Sequence, residues 1–275
     1  MARSLKLSDT APSLATLRAE ETAAHIRSGF TPRDRFRVGI EVESFCHTRW
    51  GTRCAYRGGT NSMERVLLGL ARRLWGIAEY EAGDVIGVKS LLGNLSLEPG
   101  CQLEWSSHPY STLNELLLAK RRWHQLRDLT LEQHDLHLSM RSFDDRSVPL
   151  GAWPPKKRYE QMRRRYYQLG ERAWAPMQRT AGIHLSFDFA DENDWKRKFR
   201  GMLLATPIAV SLFANSRGHW RGQAFAATRP LIWTAFDPER TRLPAFCFNS
   251  ELSIDRWADW AARRSPLLSE PGEES

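Results

Sequence analysis

Several features that would assign this 275-residue sequence to a class at once are missing from it. No segment approaches the ~18–20 consecutive apolar residues that cross a bilayer, so we expect no membrane partner. Residues 1–10 mix charged, polar and apolar side chains and lack the apolar stretch of a secretion signal. The 4 cysteines, at positions 46, 54, 101 and 247, have neither Cys-x-x-Cys nor zinc-finger spacing. These absences together predict a cytoplasmic protein with reduced thiols.

Acidic residues are fewer than basic ones. The sequence holds 32 Asp and Glu against 40 Lys and Arg, which gives a formal net charge of +8. A positive field favours anionic partners, which include nucleic acids, nucleotides and amino-acid carboxylates. The planar guanidinium of arginine binds a carboxylate or a phosphate through two hydrogen bonds, so the charge balance leaves all three classes of partner open.

Helical signals occur in six places along the chain. A capping residue followed by apolar side chains at helical spacing marks most of them, and glycine marks several ends. Ser13, Asn61 and Ser253 are predicted N-caps, and Pro207 is predicted to interrupt or kink one helix. The predicted helices cover residues 14–26, 62–75, 113–136, 159–169, 191–214 and 254–263.

Strand signals lie between these helices. Residues 38–44 alternate between apolar side chains on one face and Glu41 and Glu43 on the other. Residues 95–106 alternate on either side of Pro99-Gly100, and residues 183–189 place His184 opposite four apolar side chains. We expect the apolar face of each strand to meet a layer of helices, which describes an α+β domain.

The polar faces of the predicted strands carry acids and one imidazole but no lysine. Carboxylates that converge without a countercharge repel one another, and a divalent cation relieves that repulsion. Oxygen ligands with one imidazole favour Mg²⁺ or Mn²⁺. The alternative is that each glutamate faces solvent on its own strand, and the spacing alone leaves both interpretations open. The candidate metal ligands are Glu41, Glu43, Glu98, Glu104 and His184.

A set of segments in the same order along the chain carries a more specific signal. They are Gly39-Ile-Glu-Val-Glu43, Ser96-Leu-Glu-Pro-Gly-Cys-Gln-Leu-Glu104, Arg158-Tyr-Glu-Gln-Met162, Met177-Gln-Arg-Thr180, residues 184–188, Leu212-Phe-Ala-Asn-Ser216 and Arg229-Pro-Leu-Ile-Trp233. Together they resemble the glutamate–cysteine ligases of the plant and proteobacterial branch, from about residue 36 to about residue 260. The second and sixth segments are the most specific, whereas a lone Glu-x-Glu would be weak.

The resemblance implies a fold and a reaction. The fold is a curved antiparallel sheet of glutamine synthetase type with helices packed on its outer face. An N-terminal arm and helix (residues 1–35) precede the catalytic core (residues 36–265), and a flexible tail (residues 266–275) follows it. The implied reaction belongs to glutathione biosynthesis: ATP phosphorylates the γ-carboxylate of glutamate, and the amine of cysteine attacks the acyl phosphate. No Gly-x-Ser-x-Gly motif is present, in keeping with a reaction that needs no protein nucleophile. A Gly-x₄-Gly-Lys-Ser/Thr loop is also absent, so metals and arginines would hold the phosphates of the nucleotide.

The resemblance also assigns metal ligands. It implies that Glu43 shares one ion with Glu98 and Glu104, and that Glu41 shares a second ion with His184. Plant relatives have glutamine at the position of His184, where histidine is the better ligand. The ions, Mg²⁺ or Mn²⁺, would neutralise charge on the phosphoryl group as it is transferred from ATP.

Three arginines receive roles from the same resemblance. Arg179 and Arg229 are predicted to be the catalytic and substrate-binding arginines that hold the carboxylates of glutamate, with Trp233 beside them. Arg240 is predicted to contact the phosphates of the nucleotide. Pairing with surface acids is the alternative for Arg229 and, more strongly, for Arg240.

Two departures from the family pattern stand out. Cys101 occupies the place of a second glycine, where it either exposes a reactive thiol or is a small buried residue. Relatives continue beyond the equivalent of residue 265 into a strand with a Glu-x-Arg pattern that supplies a metal ligand and an arginine. Three explanations stay open: a complementing C-terminal subunit, a shortened and non-catalytic gene product, and an enzyme that works with fewer ligands.

The partners follow from these alternatives. Glutamate and cysteine are the predicted substrates, although a different amine and a homo-oligomer both stay open. Nucleic acid is a competing partner because residues 156–158 and 163–165 are basic and are interleaved with Tyr159, Tyr166 and Tyr167. We favour a solvated helix face with its tyrosines packed inward, and therefore expect no nucleic-acid partner.

Overall fold

The chain combines one large antiparallel sheet with helices, as a computed structural model of residues 13–148, 152–237 and 241–264 describes. The predicted α+β class is confirmed. The helices are α1 (Leu14–Ser28), α2 (Met63–Arg73), α3 (Leu113–Gln133), α4 (Lys157–Leu169), α5 (Glu171–Arg179), α6 (Glu192–Phe213), α7 (Thr228–Phe236) and α8 (Ile254–Ala262), with 3₁₀ turns at Arg33–Arg35 and Ala245–Phe248. The strands are β1 (Val38–Thr48), β2 (Ile77–Glu81), β3 (Asp84–Ser90), β4 (Gly93–Glu98), β5 (Gln102–Ser106), β6 (Leu136–Ser139), β7 (Ile183–Phe187), β8 (Gly218–Trp220) and β9 (Gln223–Phe225). The predicted tail, residues 266–275, lies outside the described residues.

The large sheet is organised around β1. Its strand order is β2-β3-β4-β5-β1-β6, and β7 pairs with β1 on the same side as β6. Residues 38–42 of β1 pair with β7 and residues 45–48 pair with β6, so one 11-residue strand serves two partners along one edge. All these pairings are antiparallel. A separate hairpin joins β8 to β9.

The main hydrophobic core lies between this sheet and two helices. Leu97 of β4 and Trp105 of β5 are buried against Leu67 and Leu70 of α2 and Trp123 of α3. The rings of Trp105 and Trp123 stack with their centroids 6.0 Å apart. Full burial of one large apolar side chain contributes about 1.5–3 kcal/mol to stability. The prediction for β4 and β5 is therefore confirmed: their apolar side chains lie on one face, and helices α2 and α3 cover that face.

Helix boundaries follow the capping chemistry with local corrections. The predicted caps Ser13 and Ser253 are confirmed, since each side-chain hydroxyl accepts a hydrogen bond from a backbone N–H of its helix. The predicted cap Asn61 is wrong: Ser62 is the N-cap of α2, and the Asn61 side chain accepts a hydrogen bond from Thr60 instead. The interruption predicted at Pro207 is absent, and α6 is one helix of 22 residues.

Helix α1 packs against α8. Ala23 and Ile26 of α1 contact Ile254 and Ala258 of α8, and the guanidinium of Arg27 lies 2.7 Å from a carboxylate oxygen of Asp255. None of the helices in the described ranges is both long enough and apolar enough to cross a bilayer.

The apolar face of β7 contradicts the prediction made for it. Ile183, Leu185 and Phe187 are 63%, 54% and 49% exposed, so no helical layer within residues 13–148, 152–237 and 241–264 covers them. Phe189, the fourth apolar residue of the predicted strand, lies past the end of β7 and packs its ring against that of Phe30. The alternation of β7 is real, but its apolar side faces outward.

Candidate active site

The polar face of the sheet carries the five predicted metal ligands, and four of them stand at paired positions of adjacent strands. Glu43 of β1 stands directly opposite Glu104 of β5, and Glu41 is flanked by Ser106 of β5 on one side and His184 of β7 on the other. Directly opposed residues in antiparallel strands have their Cβ atoms about 4.5–5.5 Å apart. The expected convergence of these side chains on one face is therefore present.

The fifth predicted ligand, Glu98, has a positive environment of its own. The hydroxyl of Tyr159 donates a hydrogen bond of 2.7 Å to Glu98 Oε1, and Arg158 Nη2 lies 3.6 Å from the same oxygen. Lys156 is buried nearby, and burial lowers its pKa while the charge of Glu98 opposes that change. The expectation that the carboxylates lack a countercharge is thus wrong for Glu98, because the first turn of α4 packs against the end of β4.

Burial and mutual repulsion make two of these carboxylates hard to ionise. Burial, followed by the charges of Glu98 and Glu43, raises the pKa of Glu104 to about 7, although Ser106 donates a hydrogen bond to it. Burial also raises the pKa of Glu43, and Glu98 adds to that rise. A site that disfavours its own negative charges has an electrostatic demand for a cation.

The carboxylates share a face without forming a complete coordination shell. Within the part of the chain that the structure describes, no group of three or more His, Cys, Asp or Glu side chains is arranged to hold a metal ion. Glu41 and His184, which were predicted to share an ion, are in contact: His184 Nδ1 and Glu41 Oε2 are 3.3 Å apart. Carboxylate oxygens and one imidazole are nevertheless ligands that suit Mg²⁺ or Mn²⁺.

Arg229 lies beside the acidic face. The backbone N–H of Gly182 donates a hydrogen bond of 2.6 Å to Glu43 Oε2. A Cβ atom at Gly182 would stand 2.6 Å from Arg229 Nη2 and 3.1 Å from His184 Nε2, so the ends of both side chains lie close to the backbone at Gly182. Burial lowers the pKa of Arg229, and the charge of Glu43 opposes that change. The structure therefore places Arg229 next to the predicted ligands Glu43 and His184.

Arg179 and Trp233 are held by other contacts. The guanidinium of Arg179, at the end of α5, lies over the ring of Trp174 with 5.2 Å to the centroid. The indole N–H of Trp233 in α7 donates a hydrogen bond of 3.1 Å to the hydroxyl of Thr180. This bond ties α7, which carries Arg229, to the residue that follows Arg179. The other predicted arginine, Arg240, lies outside the described residues.

A buried arginine that the sequence reasoning missed connects two parts of the site. Arg53 is 3% exposed and donates hydrogen bonds to the carbonyl oxygens of Gly100, at 2.7 Å, and Gln178, at 3.2 Å. Gly100 belongs to the turn between β4 and β5, and Gln178 precedes Arg179. Arg53 thus fixes the turn between the two acidic strands relative to the end of α5.

The counterion of Arg53 is Asp144. Its Oδ2 lies 3.6 Å from Arg53 Nη1 and 2.7 Å from His47 Nε2. Burial alone would raise the pKa of Asp144, but the hydrogen bond from His47, the backbone N–H of Arg146 and the Arg53 charge lower it to about 2. The backbone N–H of Asp144 also donates to the carbonyl oxygen of Arg179 at 2.9 Å. No short sequence motif links these residues, so only the fold brings them together.

Of the two alternatives for Cys101, an exposed reactive thiol and a small buried residue, the structure shows the second. It is 1% exposed, and burial raises the pKa of its thiol. Its φ of 55° is in the left-handed region that favours glycine, and Gly100 before it has a φ of 87°. Cysteine at this position therefore adds backbone strain to the turn, and its thiol is buried. All 4 cysteines are free and buried.

A cavity of about 230 Å³ adjoins the acidic face at Glu41. Its charged and hydroxyl-bearing lining residues are Arg37, Glu41, Ser106, Ser107, Ser186 and Asp188. The cavity and the predicted ligands therefore occupy the same side of the sheet, which is where a charged small molecule would meet them.

The basic helix α4 has an exposed basic face and packs most of its tyrosines inward, which is the interpretation favoured from the sequence. Tyr159 and Tyr166 are buried, whereas Arg163, Arg164 and Arg165 are exposed. The exposed Tyr167 stacks on Trp174 with their centroids 6.0 Å apart. The tyrosines that prompted the nucleic-acid hypothesis are thus used mainly for packing.

Comparison with known proteins gives a consistent result. The model of a family described as glutamate–cysteine ligase family 2 matches residues 37–270. The sequence is 29% identical to a chloroplastic glutamate–cysteine ligase of Medicago truncatula in an alignment of 251 residues that covers 89% of this chain and 48% of that protein. It is 30% identical to a chloroplastic glutamate–cysteine ligase of Arabidopsis thaliana, again over 89% of this chain and over 47% of that protein. The chain spans about half the length of the curated relatives it matches.

Proposed function

The chain belongs to glutamate–cysteine ligase family 2, and from that premise we propose that it is an ATP-dependent ligase that forms a γ-glutamyl amide. ATP would transfer its γ-phosphoryl group to the γ-carboxylate of glutamate. An amine would then attack the acyl phosphate carbon and displace phosphate. Cysteine is the first candidate amine, because the names of the relatives specify it. The product would then be γ-glutamylcysteine, and a different amine is the alternative within the same reaction.

The observation that carries this proposal is the acidic face beside Arg229. Glu43 and Glu104 face each other there with raised pKa values, and the Arg229 guanidinium approaches Gly182 next to them. An arginine beside a cation-demanding carboxylate cluster is an arrangement that can hold an amino-acid carboxylate and phosphate oxygens together. The open antiparallel sheet beneath it is also compatible with the proposed glutamine synthetase type of fold.

Mg²⁺ or Mn²⁺ would be held by Glu43, Glu98 and Glu104, and a second ion by Glu41 and His184. When bound, such ions supply positive charge that offsets the charge of the ATP phosphates. The residues of the chain have their own tasks in the proposal. Tyr159 and Arg158 fix the orientation of Glu98. Arg229 and Arg179 bind the carboxylates of glutamate, and Trp233 positions the helix that carries Arg229.

The test is an assay of ADP release with ATP, Mg²⁺, glutamate and a panel of amines that includes cysteine. We expect ADP release that depends on both amino acids, with the γ-glutamyl product detected by mass spectrometry. Glu104→Gln should abolish it, whereas Glu132→Gln on the exposed surface of α3 should not. Absence of ADP release above background with every amine would contradict catalysis by this chain alone.

A second candidate is a non-catalytic or split-subunit relative, and the uncovered apolar face of β7 favours it. Such a chain would bind ATP with Mg²⁺ and turn nothing over by itself. Isothermal titration calorimetry separates the two candidates. Heat of ATP–Mg²⁺ binding without ADP release supports the second, and turnover by the isolated chain excludes it.

The cytoplasmic location stays a proposal, which fractionation of the source cells would test.

A further inference from the structure

The C-terminal end of α5 is capped by groups from distant parts of the chain. An α-helix leaves the carbonyl oxygens of its last four residues without partners inside the helix, and water or a following glycine commonly satisfies them. In α5 these are residues 176–179, and each of the four carbonyl oxygens accepts a hydrogen bond. The donors belong to Arg53, Gln102, Asp144 and Thr180. Only Thr180 is a neighbour of the helix in sequence, so the fold brings the other three to it.

Gln102 links this cap to the acidic strands. It stands directly opposite Glu98 in the β4–β5 pair and shares a face of β5 with Glu104. Its side-chain nitrogen Nε2 donates one hydrogen bond of 2.9 Å to the carbonyl oxygen of Met177 in α5. It donates another of 2.9 Å to the carbonyl oxygen of Pro99, in the turn between the two strands. The side chain of Gln102 therefore bridges the turn and the helix.

The amide of Gln102 is fixed in one orientation. Both of its hydrogen-bond partners are carbonyl oxygens, which only accept, so the nitrogen has to face them. The amide oxygen Oε1 is buried and has no hydrogen-bond donor among the described residues. An unpaired buried acceptor lowers stability, and exceptions of this kind are expected at functional sites. Gln102 is therefore better suited to holding the turn against α5 than to stabilising the core.

Arg53 makes a second bridge between the same two segments. Its Nη1 and Nη2 both donate to the carbonyl oxygen of Gln178, each at 3.2 Å, and Nη2 also donates to that of Gly100 at 2.7 Å. A Cβ atom at Gly100 would stand 2.8 Å from the Gln178 carbonyl oxygen, so the two backbones are in close contact. The charge of Arg53 also lies at the negative end of the α5 dipole. Arg53 and Gln102 thus bind consecutive carbonyl groups of α5, and each also binds the β4–β5 turn.

The capped turn of α5 leads into the candidate site. Arg179 is the last residue of the helix, and its carbonyl oxygen accepts a hydrogen bond of 2.9 Å from the backbone N–H of Asp144. Three residues later, the backbone N–H of Gly182 donates to Glu43 Oε2. A shift of this turn would therefore move Arg179 relative to the carboxylates of β1 and β5.

We propose that Gln102 and Arg53 are positioning residues that set the place of Arg179 relative to the acidic strands. They hold the last turn of α5 against the β4–β5 turn, and neither contacts the ligand itself. A carboxylate bound by Arg179 is then kept at a fixed distance from Glu98 and Glu104, as a reaction between bound groups requires. The inference rests on the proposed role of Arg179 in binding a carboxylate of glutamate.

The test measures binding of L-glutamate to the full-length chain by isothermal titration calorimetry, with Mg²⁺ and a non-hydrolysable ATP analogue present. Gln102→Met removes both donors of the amide with little change in side-chain volume. We expect it to weaken glutamate binding by at least about tenfold and to change the affinity for the ATP analogue by less than about twofold, because only the glutamate contact depends on Arg179. Gln125→Met, the same substitution at an exposed position of α3, should leave both affinities unchanged.

Circular dichroism checks that the variants fold. If Gln102→Met does not fold, Thr180→Val takes its place, because it removes the hydrogen bond of 2.6 Å to the carbonyl oxygen of Pro176 and nearly preserves volume. The same selective loss of glutamate binding is expected. Equal losses for glutamate and the ATP analogue, or unchanged glutamate binding, would overturn the inference.

A double-mutant cycle separates positioning from a general structural role. If Gln102 acts through Arg179, Gln102→Met should cost no further affinity once Arg179→Met has been made. The double variant should then bind glutamate within about twofold of Arg179→Met alone. Losses that multiply in the double variant would overturn the inference. If Arg179→Met leaves no measurable binding, the difference between glutamate and the ATP analogue decides alone.

The assay of ADP release tests the proposed reaction separately. Selective loss of glutamate binding in Gln102→Met, with no ADP release by the unsubstituted chain, would refute the reaction and support the inference. Normal ADP release with unchanged glutamate binding in Gln102→Met would overturn the inference and leave the reaction intact. No glutamate binding by the unsubstituted chain would overturn both.

Discussion

Strands β4 and β5 lie on one side of β1 and strand β7 lies on the other. The two sides share the same alternating sequence pattern, but their apolar faces differ in exposure. Both sides alternate apolar and polar residues, and both place polar side chains on the candidate site. The apolar side chains of β4 and β5 are buried beneath α2 and α3, whereas those of β7 are exposed. The difference teaches that alternation determines which residues share a face, while coverage of that face depends on elements distant in sequence.

The largest expected effect comes from comparing a buried arginine with an exposed one. Arg53→Met removes the buried partner of Asp144 and the hydrogen bonds to Gly100 and Gln178. We expect a loss of about 3–5 kcal/mol in the free energy of unfolding, because the buried Asp144 loses a charged partner and two buried carbonyl oxygens lose their hydrogen bonds. Arg221→Met, at an exposed position, should change it by less than about 0.5 kcal/mol. Urea denaturation measures both, and similar losses would contradict the role of Arg53 as a buried structural residue.

A pair of leucines tests the hydrophobic part of the comparison. Leu97→Ala in β4 leaves a cavity in the main core and should cost about 2–5 kcal/mol. Leu185→Ala in β7 removes an exposed side chain and should cost less than about 0.5 kcal/mol in the isolated chain. A large loss for Leu185→Ala in the same denaturation experiment would mean that the face of β7 is covered in solution.

The pH dependence of stability should come partly from the buried carboxylate of Asp144. The pKa of Asp144 is lowered to about 2 in the folded state, from an ordinary value of 3.8. Its contribution is therefore present above about pH 4 and is lost as the pH falls towards 2, with a magnitude of about 2 kcal/mol. Asp144→Asn should flatten this part of the stability profile, whereas Asp145→Asn, at a more exposed site, should not. Equal flattening by both variants would contradict the assignment to Asp144.

The smallest effects concern two residues in left-handed conformations. Arg221 is exposed in the turn between β8 and β9 and has a φ of 51°, and Cys101 is buried in the turn between β4 and β5 and has a φ of 55°. Arg221→Gly should stabilise the protein by about 1 kcal/mol, because it relieves backbone strain and removes little packing. Cys101→Gly relieves similar strain but loses a buried side chain, so its net effect should be smaller. Thermal unfolding compares them, and a larger gain for Cys101→Gly would show that its thiol is itself poorly packed.

Local chemistry was enough to predict part of the fold. The caps Ser13 and Ser253 and the faces of β1 could be read from neighbouring residues, because capping and alternation act over a few positions. Strands β2, β3 and β6 and helices α5 and α7 were not predicted. Strand β6, for example, has 4 residues and pairs with the far half of β1, so its pattern is too short to detect.

The candidate site was partly predictable for the same reason. Glu41, Glu43 and Glu104 lie on strands with clear alternation, so their common face follows from the sequence. Tyr159 beside Glu98 and Arg53 beside Gly100 are contacts between segments about 50–60 residues apart, and no local pattern encodes them. The countercharge on Glu98 was missed because the basic face of α4 was interpreted as solvated surface.

The double pairing of β1 has a consequence for the order of events during synthesis. Glu41 and its partner His184 are 143 residues apart in the chain, so β1 emerges from the ribosome long before β7 can join it. The β1–β5 pair can assemble earlier, because its segments are closer in sequence. The nascent chain therefore passes through a stage in which the acidic face is only half built, and the face is complete only after translation has passed residue 187.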